Sequence, residues 1–151
     1  MNLLSEGRKA LIAQLQTITV DNGYLTNAGH NVKSGWFNEV LQDAATVFPI
    51  IVVQPGKGLQ PTAGPGALML GPGFKVVGAV SVGLDYEYAL DDLQLDLIRC
   101  LMPSHKQFPK WLPLGVNKIQ LGAPEAYPPG EGVSAAAVLL PVNLSTIVEG
   151  I

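Results

Sequence analysis

Two apolar runs, FPIIVV at residues 48–53 and FKVVGAVSVGL at residues 74–84, flank QPGKGLQPTAGPGALMLGPG at residues 54–73, half of which is Gly or Pro. The first run is β-branched and apolar on both faces, so it reads as a strand buried on both sides. The second alternates. Phe74, Val76, Val80, Val82 and Leu84 share one face, Lys75, Val77, Ala79 and Ser81 the other, and Gly78 and Gly83 permit a bulge or bend. Joining two antiparallel strands takes about 2–5 residues, so roughly fifteen are surplus to connectivity. Gly and Pro at this density disfavour both helix and strand, and the segment is expected to be a loop. Irregular loops beyond about 12–15 residues are uncommon unless they are functional or disordered. Prolines stiffen such a segment, glycines let it bend, and Leu59, Leu68, Met69 and Leu70 offer apolar contacts with little use in water. The expectation is an arm, mobile in isolation, that orders against a neighbouring subunit or partner, with Lys57 as its one charge.

The rest of the chain supplies a scaffold for that arm. Leu4, Leu11, Ile12, Leu15 and Ile18 recur at helical spacing over residues 3–18, an amphipathic helix weakened by Gly7 and stopped by Asp21-Asn22-Gly23. Residues 26–35 read as a loop or a poorly paired edge strand, and residues 36–41 as either one helical turn or a strand. Residues 86–102 form a second helix: Asp85 is placed as N-cap, Leu93 and Leu97 face the sheet, and acids lead while Arg99, His105 and Lys106 follow. Pro103 ends it. A loop over residues 104–116, a short strand at 117–121, a Pro/Gly loop at 122–132 and a last apolar strand at 133–144 complete the order. Pro141 marks that last strand as an edge or a bulge, and Val138 and Leu140 are its candidate contacts with a neighbour. The whole predicts one α+β domain over residues 1–151: a mainly antiparallel sheet of about four or five strands with two helices on one face.

Composition narrows the function. Of 151 residues, 48% are hydrophobic and only 14% charged, with a net charge of −3. Scattered Lys and Arg give no footprint for specific nucleic-acid binding. One cysteine, Cys100, allows no internal disulfide, no apolar run is long enough for a membrane span, and the N-terminus lacks the pattern of a signal peptide. A soluble protein of a reducing cytoplasm is the expectation. His30 and His105 stand in loops away from any strained Gly-x-Ser-x-Gly turn, and Cys100 reads as a buried small hydrophobe. Asp85, Glu87, Asp91, Asp92 and Asp96 read as a solvated acidic face, not a metal site. Gly64-Pro65-Gly66 and Gly71-Pro72-Gly73 lack the Gly-Lys-Ser/Thr of a phosphate loop. No catalytic, cofactor or metal residue is assigned, and no enzyme is expected. Low charge, apolar loop residues and the loop-borne Trp36 and Trp111 point to association.

The order LIAQLQTI, the turn DNGY, the strand FPIIVV, a long loop, the helix ALDDLQLDLIRCL and a final strand resembles the tail terminator (tail completion) proteins of long-tailed bacteriophages, over most of the chain. The resemblance implies a virion protein of the tail or neck, assembled in the host cytoplasm. It implies a hexameric ring that caps the tail tube protein, ends tube growth and docks to the head–tail connector, with DNA passing through its lumen. Loops of such rings line the lumen or touch the tube, which makes Lys57, Leu59, Leu68, Met69, Leu70, Val138 and Leu140 the expected subunit or tube interface. The Gly/Pro density of residues 54–73 departs from that pattern. A head–tail joining or neck protein is the neighbouring alternative, and a small-molecule-binding or hydrolytic domain the alternative from a different class.

Overall fold

The computed structural model describes residues 2–43, 45–102, 109–130 and 135–151. Among them are three α-helices, α1 (Leu3–Leu15), α2 (Phe37–Leu41) and α3 (Tyr86–Leu101), and six strands: β1 (Val32–Ser34), β2 (Ile50–Gly64), β3 (Ala67–Ser81), β4 (Val116–Leu121), β5 (Glu125–Tyr127) and β6 (Ala135–Glu149). The fold is α+β with a mostly antiparallel sheet, and its strand count exceeds the four or five expected from sequence. Strand order is β1-β2-β3-β6-β4, with β5 also on β6; only β1 runs parallel to its neighbour, β2.

Helices α1 and α3 cover one face of the sheet. Leu11, Leu15 and Ile18 from the first helical segment and Leu93, Leu97 and Leu101 from α3 meet Ile51, Val53, Val76, Val138, Leu140, Val142 and Leu144 in one core. The short α2 covers the opposite face, where Phe37, Val40 and Phe48 pack on Ile50, Val52, Val77, Ala79, Ala135 and Ala137. Residues on both faces of β2 are thus buried, as its continuous apolar run requires.

The central correction concerns residues 54–73. They form the distal halves of β2 and β3, paired from Ile50↔Ala79 out to Gly64↔Ala67 and closed by Pro65-Gly66. Pro before a Gly at φ +68° is the sequence of a type II turn. Sequence density misled because Pro55 and Pro61 sit where a strand tolerates them and Pro65 sits in the turn. β1 pairs with β2 only as far as Val53, so the outer side of β2 beyond it is an edge; Pro55 and Pro61 lie on that edge and remove no ladder bond to an outer neighbour. Register shifts between Gly56 and Leu59 and between Leu59 and Thr62 absorb the irregularity. At the first shift the Lys57 carbonyl crosses so close to Gly73 that a Cβ there would lie 2.1 Å from its oxygen. Glycine is required at that crossing.

β6 corrects a second expectation. It is not an edge: β3 flanks one side, β4 and β5 the other. Pro141 is accommodated because it falls between β4 and β5, where its outward carbonyl accepts from Gly122 N–H at 2.8 Å. A residue's N–H and C=O point the same way in a strand, so the missing donor faces a gap between partners. Smaller differences follow. Asn2 caps α1, its Oδ1 accepting from Leu4 N–H at 3.0 Å and Ser5 N–H at 3.3 Å. Asp85 stands at the N-cap position of α3 but in the left-handed region (φ 61°), with no side-chain cap bond. Leu4, counted with the buried stripe, is exposed. Pro103, His105, Lys106 and Val133 lie outside the described residues.

Candidate functional site

Strands β2 and β3 are each fifteen residues long, nearly three times an ordinary strand, so the hairpin spans about 50 Å. Its proximal half is the core of the domain. Past Gln54, β2 is almost entirely exposed and, among the described residues, pairs as a strand with β3 alone, while the end of β6 (Leu68↔Val148, Met69↔Ile147) supports the other side of β3. The result is a three-stranded tongue extending beyond the packed core.

Directly opposed residues of antiparallel strands share a face. Leu59 stands opposite Gly71, Thr62 opposite Met69, and Met69 opposite Ile147, so Leu59, Met69 and Ile147 occupy the face away from α1 and α3. Leu59 is 46% and Met69 48% exposed. Leu68, Leu70 and Val148 occupy the helix-side face; Leu68 and Val148 are exposed and Leu70 is half-buried. At the tongue's root on this side, the Arg8 guanidinium lies 5.6 Å from the Phe74 ring centroid. Five of the seven residues singled out from sequence, Lys57, Leu59, Leu68, Met69 and Leu70, are therefore gathered on one projection. Lys57 is exposed, and its carbonyl accepts from Asn143 Nδ2 at 3.3 Å. The other two are misplaced: Val138 and Leu140 lie in the centre of the core, 0% and 2% exposed, because β6 is flanked on both sides. Ile147 and Val148 were missed because the last strand runs past residue 144 to Glu149.

The free edge of the tongue is poorly suited to adding another strand. Pro55, Pro61, Lys57 and two register shifts interrupt the row of backbone donors and acceptors along β2, and these features block edge-to-edge pairing. The two faces are left for contact.

No group for covalent chemistry gathers here. Cys100 is buried, with Sγ donating to the Gln14 carbonyl at 3.2 Å and lying 3.8 Å from Thr17 Oγ1. Burial pushes its thiol up from the ordinary value, and burial, then the neighbouring Cys100, do the same to the Tyr24 phenol. Asp96, placed on a solvated face by the sequence, is fully buried. Its carboxylate accepts from Leu25 N–H, Thr26 N–H and Thr26 Oγ1 at 2.8–3.1 Å, pinning the loop after α1 to α3. His30 ends a short 3-10 turn on the surface. Among the described residues no three His, Cys, Asp or Glu side chains converge as metal ligands, and no helix is long and apolar enough to cross a membrane.

Two of the hollows among the described residues have mainly apolar walls. One, of about 360 Å³, lies on the α2 face between Trp36, Phe37, Leu41, Tyr127 and Leu139. Tyr127 Oη donates to Glu125 Oε2 at 2.8 Å, a bond that raises its phenol. The other, of about 530 Å³, lies at the end of the sheet remote from the tongue. No protein-family model matches this chain, and no curated protein matches it.

Proposed function

We propose that the chain is a structural virion protein of the tail-terminator kind, forming a ring at the head-proximal end of a phage tail tube, ending tube growth and docking to the head connector. The observation that carries this reading is the tongue. A projection bearing Leu59, Leu68, Met69, Ile147 and Val148 in water has no role in its own chain's core, and exposed apolar surface of this kind serves contact with another protein. The element order that resembles tail terminators supplies the identity of that other protein: further copies of the chain and the tail tube. In this reading the ring is hexameric and DNA passes through its lumen without specific recognition. A head–tail joining protein uses the same surface, with the connector as its principal partner.

The test is electron microscopy and mass measurement of the purified protein, followed by tail completion with a shortened tongue. Leu59 and Gly71 are paired, so replacing residues 60–70 by Asn-Gly closes a two-residue hairpin at an existing register. Rings of six, and a shortened protein that melts cooperatively but leaves tails uncompleted, are the expected results. Full tail completion by the shortened protein overturns the role of the tongue. The aromatic hollow at Trp36, Phe37 and Tyr127 favours a second reading, a small-molecule-binding domain; a compact monomer that retains a bound organic ligand on native mass spectrometry distinguishes it.

A further inference from the structure

We propose that copies of this chain associate head to tail, the tongue of one seating in the acid-flanked apolar groove at the opposite end of the next. The inference rests on the self-assembly reading above and names its contact. The groove of about 530 Å³ forms where Phe48-Pro49 enters β2, β3 leaves the sheet and α3 begins, with Val20, Leu25 and Leu84 on its walls. Leu84 is 96% exposed and Val20 and Leu25 about half exposed. Asp85 and Asp92 line it, and exposed Asp21, Glu87 and Asp91 stand on the adjoining turn and helix. Among the described residues no Lys or Arg is in its lining; Arg99 stands nearby, its guanidinium 6.0 Å from the ring centroid of Tyr24, the residue before Leu25.

The tongue end has the complementary sign. Exposed Lys57 and half-buried Lys75 belong to its strands, exposed Lys118 to β4 beside it, and Arg8 lies against its root at Phe74. Lys118 pairs with Ser145 and Lys75 with Pro141, which puts both lysines on the face that carries Met69 and Ile147. Glu149, opposite Ala67, is the counter-charge at the tip. An apolar surface with a basic surround thus faces one way along the sheet and an apolar groove with an acidic surround faces the other. Such potentials steer association and set its register. The turn at Pro65-Gly66 and the groove at Pro49 and Val80 are the two ends of the same long strands, about 50 Å apart. A chain cannot fill its own groove. The groove is therefore filled by another copy, and the proposed head-to-tail contact, repeated, yields a ring if the rotation closes and an open filament if it does not.

The test uses two full-length variants at exposed positions, Met69→Glu on the tongue and Leu84→Glu in the groove, both checked for parental melting. Each alone is expected to raise the dissociation constant of self-assembly at least tenfold, and parental assembly is expected to weaken as ionic strength rises. Mixed together, the two variants retain one intact tongue and one intact groove between them. They are expected to form a one-to-one complex and nothing larger by sedimentation velocity. Assembly untouched by Leu84→Glu, or the absence of a one-to-one complex, overturns the head-to-tail contact even where the parent forms rings. A parent that is monomeric at every concentration also overturns it, and the tail-completion assay then decides the ring reading separately.

Discussion

Gln14 and Cys100 exchange hydrogen bonds across the helix layer: Gln14 Nε2 donates to the Cys100 carbonyl at 2.9 Å, and Cys100 Sγ donates to the Gln14 carbonyl at 3.2 Å. The pair ties the end of α1 to the end of α3, with Thr17 Oγ1 also donating to the Gln14 carbonyl at 2.6 Å. The acceptors are last-turn carbonyls beyond the reach of regular helical bonding, and the Gln14 carbonyl also accepts from Thr17 N–H at 3.1 Å. A side chain from each helix thus completes the other's terminus.

This clamp sets an alkaline limit. Burial raises the Cys100 thiol, and burial with the adjacent thiol raises Tyr24. The folded state then holds these protons more tightly than the unfolded state, so their contribution is full below the unfolded thiol value, about 8.5, and is lost as pH rises through the raised folded values. Unfolding free energy measured by denaturant titration should hold steady up to about pH 8.5 and decline above it. Cys100→Ala should make that decline shallower, with the remainder due to Tyr24.

Asp96 provides a second test of the helix layer. Removing its carboxylate strands Leu25 N–H, Thr26 N–H and Thr26 Oγ1 without their acceptor. Asp96→Ala should lower stability by about 3 kcal/mol, since hydrogen bonds to charged groups contribute about 1.5–3 kcal/mol and stranded buried donors add to the loss. A thermal melt within 1 °C of the parent would show that the loop after α1 is not held by this residue.

Leu97, 1% exposed between α3 and the sheet, fills a site in the larger core. Leu97→Ala should cost about 2–5 kcal/mol by chemical denaturation, the range for emptying such a site.

Position along β6 separates folding from assembly. Val138→Lys places a charge at a fully buried site in the middle of the sheet and should abolish the cooperative melt. Ile147→Lys, nine residues further along the same strand and exposed on the tongue, should melt like the parent and act only on self-association. Circular dichroism and sedimentation of the two proteins read these outcomes independently.

Much of the scaffold was determined by local sequence. The periodicity of Leu11, Leu15, Leu93, Leu97 and Leu101 and the alternation of Phe74, Val76 and Val80 depend on neighbours a few residues away, and each of these residues is buried as its spacing requires, whereas Val82 and Leu84, read on the same face, lie beyond the end of β3 and are exposed. Lys57, Leu59, Leu68, Met69 and Leu70 were also recognisable as surface in excess of what the core needs. Their conformation was not. Gly and Pro in residues 54–73 oppose a strand when each is considered alone, yet an unpaired outer edge on β2 and two bulges accommodate Pro55 and Pro61, and Pro72 is carried within β3 by the strands on either side. Whether a strand is central or at an edge is a property of the sheet. That is why Val138 and Leu140 were read as contact residues and Pro141 as an edge signal. Only tertiary structure places β6 between β3 and the β4–β5 pair. The same holds for Asp96, whose partners at Leu25 and Thr26 are some seventy residues away, and for the groove and tongue, which the long hairpin holds at opposite ends of one sheet.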